Sequence, residues 1–233
     1  MIPERLVIER RFRGPEDSGN GGYTCGLIAS AAGFGTAEVT LRRPPPLARA
    51  LDLVREDDRV CVRDGETLVA ECEPAQVELE PPGPVSLDEA ERAAELYPGH
   101  RQHAFPTCFV CGPARGNGDG LRIFAGLARG DVVAAPWTPD ASLTDEDGLV
   151  RPEFVWAALD CPGAIAVGYP ERGETLLGRF AVDVRSRPRV GEPHVVVGWP
   201  LGEEGRKLYA GTALYDGAGH LRAVARATWI APR

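Results

Sequence analysis

The sequence predicts an α+β fold made of two successive units, each a single apolar helix wrapped by a curved antiparallel sheet. Three observations carry this. The order strand, apolar helix, run of strands occurs twice along the 233 residues. Each helical segment is almost free of charge, so a sheet must cover it on several sides. The strands alternate Val, Leu and Thr with charged residues at period two, the signature of a sheet with one solvated face.

In the first half, RLVIERRF (residues 5–12) is the opening strand, and a turn of small polar residues, GPEDSGNGG, follows it. The uncharged segment YTCGLIASAAG (23–33) is the first central helix. Strands are expected at residues 36–43, 50–57, 59–65 and 67–80. Residues 86–99, SLDEAERAAELYPG, form an amphipathic linking helix capped by Ser86 with Glu89 three positions on, and stopped by Pro98 and Gly99. In the second half, strands at 120–128 and 130–137 precede the helix FVWAALDCPGAIAVGY (154–169). Strands at 176–187, 194–201, 206–216 and 220–230 follow it. The boundary falls near Pro81–Pro84 and the linking helix. The N-terminal half is 1–98, including helix 86–97, and the C-terminal half is 99–233.

Composition narrows the function. A net charge of −8 argues against a nucleic-acid binder, which needs a basic surface. No apolar run follows a basic start, and no stretch of about 18 apolar residues occurs, so a cytoplasmic protein is expected. The six cysteines are too sparse for a disulfide framework and read as reduced thiols, mostly core filler. Cys108-x-x-Cys111 has no second such pair and no suitably spaced His pair. With His100 and His103 placed in a linker, no metal is expected. A redox pair would want a helix start, whereas Gly112 and Pro113 follow. Trp137, Trp156, Trp199 and Trp229 read as core.

Asp160 is the one charged residue in 154–169. Burial is expensive for a carboxylate and moves it toward the range of a general base. Pro162, two residues on, cannot donate to the carbonyl of Ala158 and should kink the helix.

The segment CFVCGPARGNGDGLRIF (108–124) resembles the opening of phenylacetate-pathway-type acyl-CoA thioesterases in the hotdog-fold superfamily. NGGYTCGLIA (20–29) resembles that family's His-Gly-Gly helix start with an acid further along the helix, and RPEFVWAALD (151–160) fits the same ten-residue frame. The resemblance implies a tandem, or double, hotdog forming a pseudo-dimer, with sites where the glycine-rich helix start of one unit faces the acid of the other. The chain departs from that pattern in a complementary way. Asn20 stands at the histidine position and Ala29 at the acid position, while Pro152–Glu153 replaces the second Gly-Gly pair. One complete site is therefore expected from Asn20, Gly21, Gly22 and Asp160, and a dead one from Pro152–Glu153 and Ala29.

The implied activity is hydrolysis of an acyl-CoA or acyl-carrier-protein thioester, with coenzyme A present only as part of the substrate and no other cofactor. Asp160 would be general base on water or direct nucleophile. Developing oxyanion charge would fall to the Gly22 or Tyr23 N–H at the helix start. Gly21 and Gly22 would admit the substrate to that backbone. Asn20 would cap the helix or orient the thioester. Arg185 and Arg187 would grip coenzyme A phosphates, with Arg42–Arg43 in the equivalent place of the first half; surface exposure explains such runs as well. Two other readings stand beside this one. The first is a non-catalytic binder of acyl or apolar ligands. The second is a hotdog hydratase or dehydratase, which would want a histidine in a central helix, where none of the four lies. Self-association of the double-hotdog chain into a homo-oligomer is expected.

Overall fold

The computed structural model describes residues 3–232. Eleven strands form one antiparallel sheet: β1 (Arg5–Val7), β2 (Ala37–Leu41), β3 (Ala50–Glu56), β4 (Arg59–Asp64), β5 (Thr67–Pro74), β6 (Gly126–Arg129), β7 (Val132–Trp137), β8 (Leu176–Val184), β9 (His194–Glu204), β10 (Lys207–Asp216) and β11 (Leu221–Ile230). Their spatial order is β1-β3-β4-β5-β2-β8-β11-β10-β9-β7-β6. The order β1-β3-β4-β5-β2 is met again as β7-β9-β10-β11-β8, with β6 added at the edge. The two runs join where β2 pairs antiparallel with β8, in the register Ala37↔Val182 and Val39↔Phe180.

The described residues also hold four α-helices: α1 (Gly21–Ala32), α2 (Leu87–Glu95), α3 (Pro152–Ala158) and α4 (Cys161–Ala166). α1 lies against β2, β5 and β8, and α4 against β7, β9 and β10, while α1 and α3 pack on each other. One apolar cluster runs through both halves, from Ile8, Ile28 and Val39 to Phe154, Phe180 and Val196. The opposite face of β7 and β9 holds a second cluster. There Val132, Ala134, Val195 and Val197 meet Ala90 and Ala93 of α2, while Val133, Ala135 and Val196 face the main core. This is the period-two alternation of a strand covered on both faces. The linking helix is thus laid on strands of the second half. Ser86 caps it as expected, its Oγ accepting the Glu89 N–H at 3.3 Å.

Several expected boundaries move. The helix expected over 154–169 is two helices, broken at Leu159–Asp160. Proline fits the first turn of a helix, where its missing N–H costs nothing, so the chain restarts at Cys161 with Pro162 in that turn. The first strand stops at Val7, and Arg10–Phe12 is a short 3-10 turn whose end is tied to the site: Asn20 N–H donates to the Phe12 carbonyl at 2.8 Å. The strand expected at 120–128 survives only from Gly126. Leu121 and Ile123 instead donate their N–H groups to the carbonyls of Phe109 and Val110, so this stretch follows the Cys108–Cys111 loop. β5 ends at Pro74, and residues 75–80 run on as irregular chain.

Candidate functional site

The site begins with α1. Asn20 is its N-cap, with Oδ1 accepting the Tyr23 N–H at 2.9 Å, which satisfies a donor the helix cannot pair internally. The same side chain reaches out of its own half: Nδ2 donates to Asp160 Oδ2 at 2.7 Å. Gly22 N–H donates to that oxygen at 3.0 Å. Asn20 therefore caps the helix with one end of its amide and holds Asp160, not a thioester, with the other. Asp160 is 2 % exposed and Asn20 3 %. Asp160 Oδ1, also buried, has no partner within the protein. Burial pushes the Asp160 carboxyl up to about 7. The Gly22 N–H opposes this, the charge of neighbouring Cys108 adds to it, and the Asn20 amide opposes it again.

Asp160 and Asn20 stand at a cavity of about 390 Å³, the size of a small-molecule site. Its walls are largely apolar, from Phe105, Ala164, Ile165, Tyr169, Leu177 and Trp229. The indole N–H of Trp229 is buried without an acceptor. Exposed Arg42 and Arg43 stand at the rim. Arg42 is paired with Glu71 at 2.5 Å, whereas Arg43 has no acid within ion-pair distance among the described residues.

Four expectations are corrected by this geometry. The Gly22 and Tyr23 N–H groups are occupied, by Asp160 and Asn20 respectively, and so are not free for an oxyanion. The amide left at the helix start is that of Gly21, which borders the cavity and makes no hydrogen bond within the described residues. Gly22 serves packing between halves, not substrate approach, while Gly21 packs on Leu177 and keeps its N–H at the cavity. A Cβ on Gly22 would stand 2.4 Å from Asp160 Cβ and 2.8 Å from the Trp156 carbonyl, and one on Gly21 would stand 2.9 Å from Leu177 Cβ. Tyr23 is not a substrate contact. Its ring stacks on Phe12 at 4.0 Å and packs against Phe109 and Phe154 in the core. Arg185 and Arg187 do not border the cavity, which meets β8 at its opposite end, Leu176–Gly178. They pair instead with Asp183 at 3.3 Å and Asp145 at 2.6 Å.

The place related by the strand repeat behaves differently. Glu153 is buried and paired with Arg151 at 3.4 Å, and Ala29 is a core residue. Its carboxylate, Glu153, is thus ion-paired, unlike Asp160 with its unpartnered Oδ1.

Residues the sequence did not join to the site also border the cavity. Cys108 and Cys161 approach to 3.8 Å between sulfurs, and the Asn20 amide nitrogen lies 3.8 Å from Cys108 Sγ. His103, assigned to a linker, holds its Nδ1 against the Phe105 N–H at 2.9 Å and the Tyr169 hydroxyl at 3.0 Å, and its Nε2 faces Cys111 Sγ at 3.3 Å. Burial lowers its pKa, so the ring is neutral. Two donors at Nδ1 leave the ring proton on Nε2. The ring is therefore spent on its neighbours, and no free histidine base faces the cavity as a hydratase would require.

The architecture is that of a hotdog fold. A hotdog-fold protein of unknown function from Alicyclobacillus acidocaldarius superposes with a TM-score of 0.61 at 11% identity, covering 98% of this chain and 92% of its own. Structural neighbours across nearly the whole chain are hotdog-fold thioesterases. An acyl-CoA thioesterase II from Mycobacterium marinum matches with a TM-score of 0.62 at 12% identity over 98% of this chain and 92% of its own. A tesB protein from Mycobacterium avium subsp. paratuberculosis matches at 0.63 and 14% over 94% and 89%. No protein-family profile and no curated protein sequence matches the chain. At these identities the likeness establishes the fold.

Proposed function

We propose that the chain is a tandem hotdog thioesterase, two hotdog units arranged as a pseudo-dimer, hydrolysing an acyl-CoA or acyl-carrier-protein thioester at the contact between its halves. The observation that carries this reading is the meeting of Asp160 with the start of α1. A buried carboxylate from the second half has one oxygen held by Asn20 and Gly22 of the first, and its other oxygen unpartnered beside an apolar cavity. Two donors on Oδ2 fix the orientation of the group and leave Oδ1 to act. Oδ1 takes a proton from water as the water oxygen bonds to the thioester carbonyl carbon. The C–S bond then breaks, and the proton passes to the leaving thiolate, giving the acid and the free thiol of the carrier. Direct attack by Oδ1 through a mixed anhydride uses the same placement. The free Gly21 N–H at the positive end of α1 is the donor for developing oxyanion charge. Acyl chains fit the apolar walls, and Arg43 at the rim suits a phosphate of coenzyme A. Similarity to acyl-CoA thioesterases supports the substrate class.

The test is release of coenzyme A, followed chromatographically because the protein's own thiols react with thiol dyes. Short, long and aromatic acyl-CoA thioesters are compared with wild type and Asp160→Asn. The expected result is turnover in wild type and a loss of about 10²–10⁴-fold in the variant, the usual worth of a positioned acid–base group, with unchanged circular dichroism. Near-normal turnover in Asp160→Asn defeats the mechanism. A folded wild type that binds but never cleaves any thioester moves the site to the ligand-binding reading.

A further inference from the structure

We propose that Cys108, Cys111 and Cys161 form a thiolate site for a thiophilic divalent cation, zinc by its ligand chemistry, in the wall of the cavity beside Asp160. This goes beyond the hydrolase reading and does not depend on it. The three sulfurs lie within 4.8 Å of one another, and Cys108 and Cys161 are 3.8 Å apart. With Zn–S bonds of about 2.3 Å, tetrahedral angles put ligand sulfurs roughly 3.8 Å apart. A disulfide needs about 2.05 Å, whereas the Cys108–Cys161 spacing matches one edge of a tetrahedral zinc site, with the third sulfur within 4.8 Å of both.

The local chain is shaped for such a site. Cys108-Phe-Val-Cys111-Gly112 closes a tight turn in which Gly112 N–H donates to the Cys108 carbonyl at 2.9 Å. A Cβ at Gly112 would stand 2.5 Å from that same oxygen, so the turn admits glycine alone. The third sulfur comes from the first residue of α4, where the break after α3 re-aims the chain. That break explains why spacing did not reveal the site: Cys161 is 50 residues beyond Cys111 in sequence.

The donors around the three sulfurs are the neutral Asn20 amide, 3.8 Å from Cys108 Sγ, and the His103 Nε2–H facing Cys111. Those donors suit the surroundings of metal-bound thiolates, which accept such bonds in place of water. Three thiolates and a divalent cation carry one net negative charge. The fourth tetrahedral position is left for a ligand from the cavity, which all three cysteines border.

The experiment uses the full reduced chain. First, the thiols are counted after denaturation, so that all six are known to be free. Zinc content is then measured by mass spectrometry after gel filtration, and the metal-free protein is titrated with Co²⁺. We expect one zinc per chain and a sulfur-to-cobalt charge-transfer band that saturates at one equivalent. Cys161→Ser should weaken cobalt binding by about tenfold or more and dim the band, while Cys61→Ser, on β4, should leave both unchanged. A fully reduced wild type that retains no zinc and develops no band overturns the proposal. So does a band unaltered by Cys161→Ser.

Discussion

At Gly22 the packing tolerance of the site comes down to one hydrogen atom. The α-carbon is pressed against Asp160 and the Trp156 carbonyl, so Gly22→Ala must push the two halves apart where the acid is held. Overpacking of this kind costs about 1–3 kcal/mol. It should appear as an earlier urea midpoint together with reduced turnover, because the Gly22 N–H also orients Asp160. A variant with wild-type midpoint and rate would show that α1 and α3 have slack there. Arg43 sets the opposite case, an exposed rim charge without an acidic partner. Arg43→Ala should raise KM for a coenzyme A thioester about two- to fivefold, the worth of an exposed charge contact, leave kcat unchanged, and lose its effect at high salt. An unchanged KM at low salt removes Arg43 from the substrate. At this scale the sequence singled out Asp160 and Asn20, which the structure brings to 2.7 Å of each other, because a lone carboxylate in an apolar helix and a cap residue before Gly-Gly are local signals. It misassigned Tyr23, Arg185 and Arg187, whose surroundings are fixed by contacts across the chain: aromatic neighbours Phe12, Phe109 and Phe154 for the first, and Asp183 and Asp145 for the arginines.

Among the elements, period-two strands were legible wherever a ladder existed, and failed where another partner took the backbone. Residues 120–124 have strand-like alternation, yet Leu121 and Ile123 bond to the Cys108–Cys111 loop, and no spacing rule indicates that choice. Pro162 was legible as a disturbance but not as a helix start, because both outcomes follow from the same missing N–H. The β10–β11 turn gives a prediction at this scale. Asp216 Oδ1 accepts the Ala218 and His220 N–H groups at 3.0 and 2.8 Å, and Oδ2 meets Arg222 at 2.5 Å and the His220 ring at 3.1 Å. Partial burial alone would raise this carboxyl, but those bonds outweigh it and hold the pKa well below the usual carboxylate value. A depressed folded-state pKa stabilises the protein fully above the unfolded value near 4. The contribution is then lost as pH falls from there through the folded value. Asp216→Asn should therefore cost about 1 kcal/mol at pH 7, a charged hydrogen bond reduced by solvent screening. The difference from wild type should shrink steadily below pH 4. Urea titrations at pH 7 and pH 3 check this, and a gap that widens on acidification would reverse the sign.

For the whole molecule the decisive contact is the seam where β2 meets β8, because it turns two repeated strand orders into one sheet. The edge strands β1 and β6 have only three and four residues and offer little ladder to another chain. The β2–β8 seam, in contrast, is internal and backed by the core that both halves share. Phe180 stands on it, fully buried, opposite Val39 and edge-on to Trp156 with ring centroids 5.7 Å apart. If the halves are one cooperative unit, Phe180→Ala should lower the global stability by about 3–5 kcal/mol and leave a single unfolding transition. Tryptophan fluorescence and far-ultraviolet circular dichroism would then report the same urea midpoint, although Trp137, Trp156, Trp199 and Trp229 all lie in the second half while β1–β5 lie in the first. Two separated transitions in wild type would mean that each half has its own stability and that the seam joins them without coupling them. Asp160, anchored across the contact between halves by Asn20 and Gly22, would in that case lose its placement as the less stable half unfolds. Activity would fall with the earlier of the two transitions.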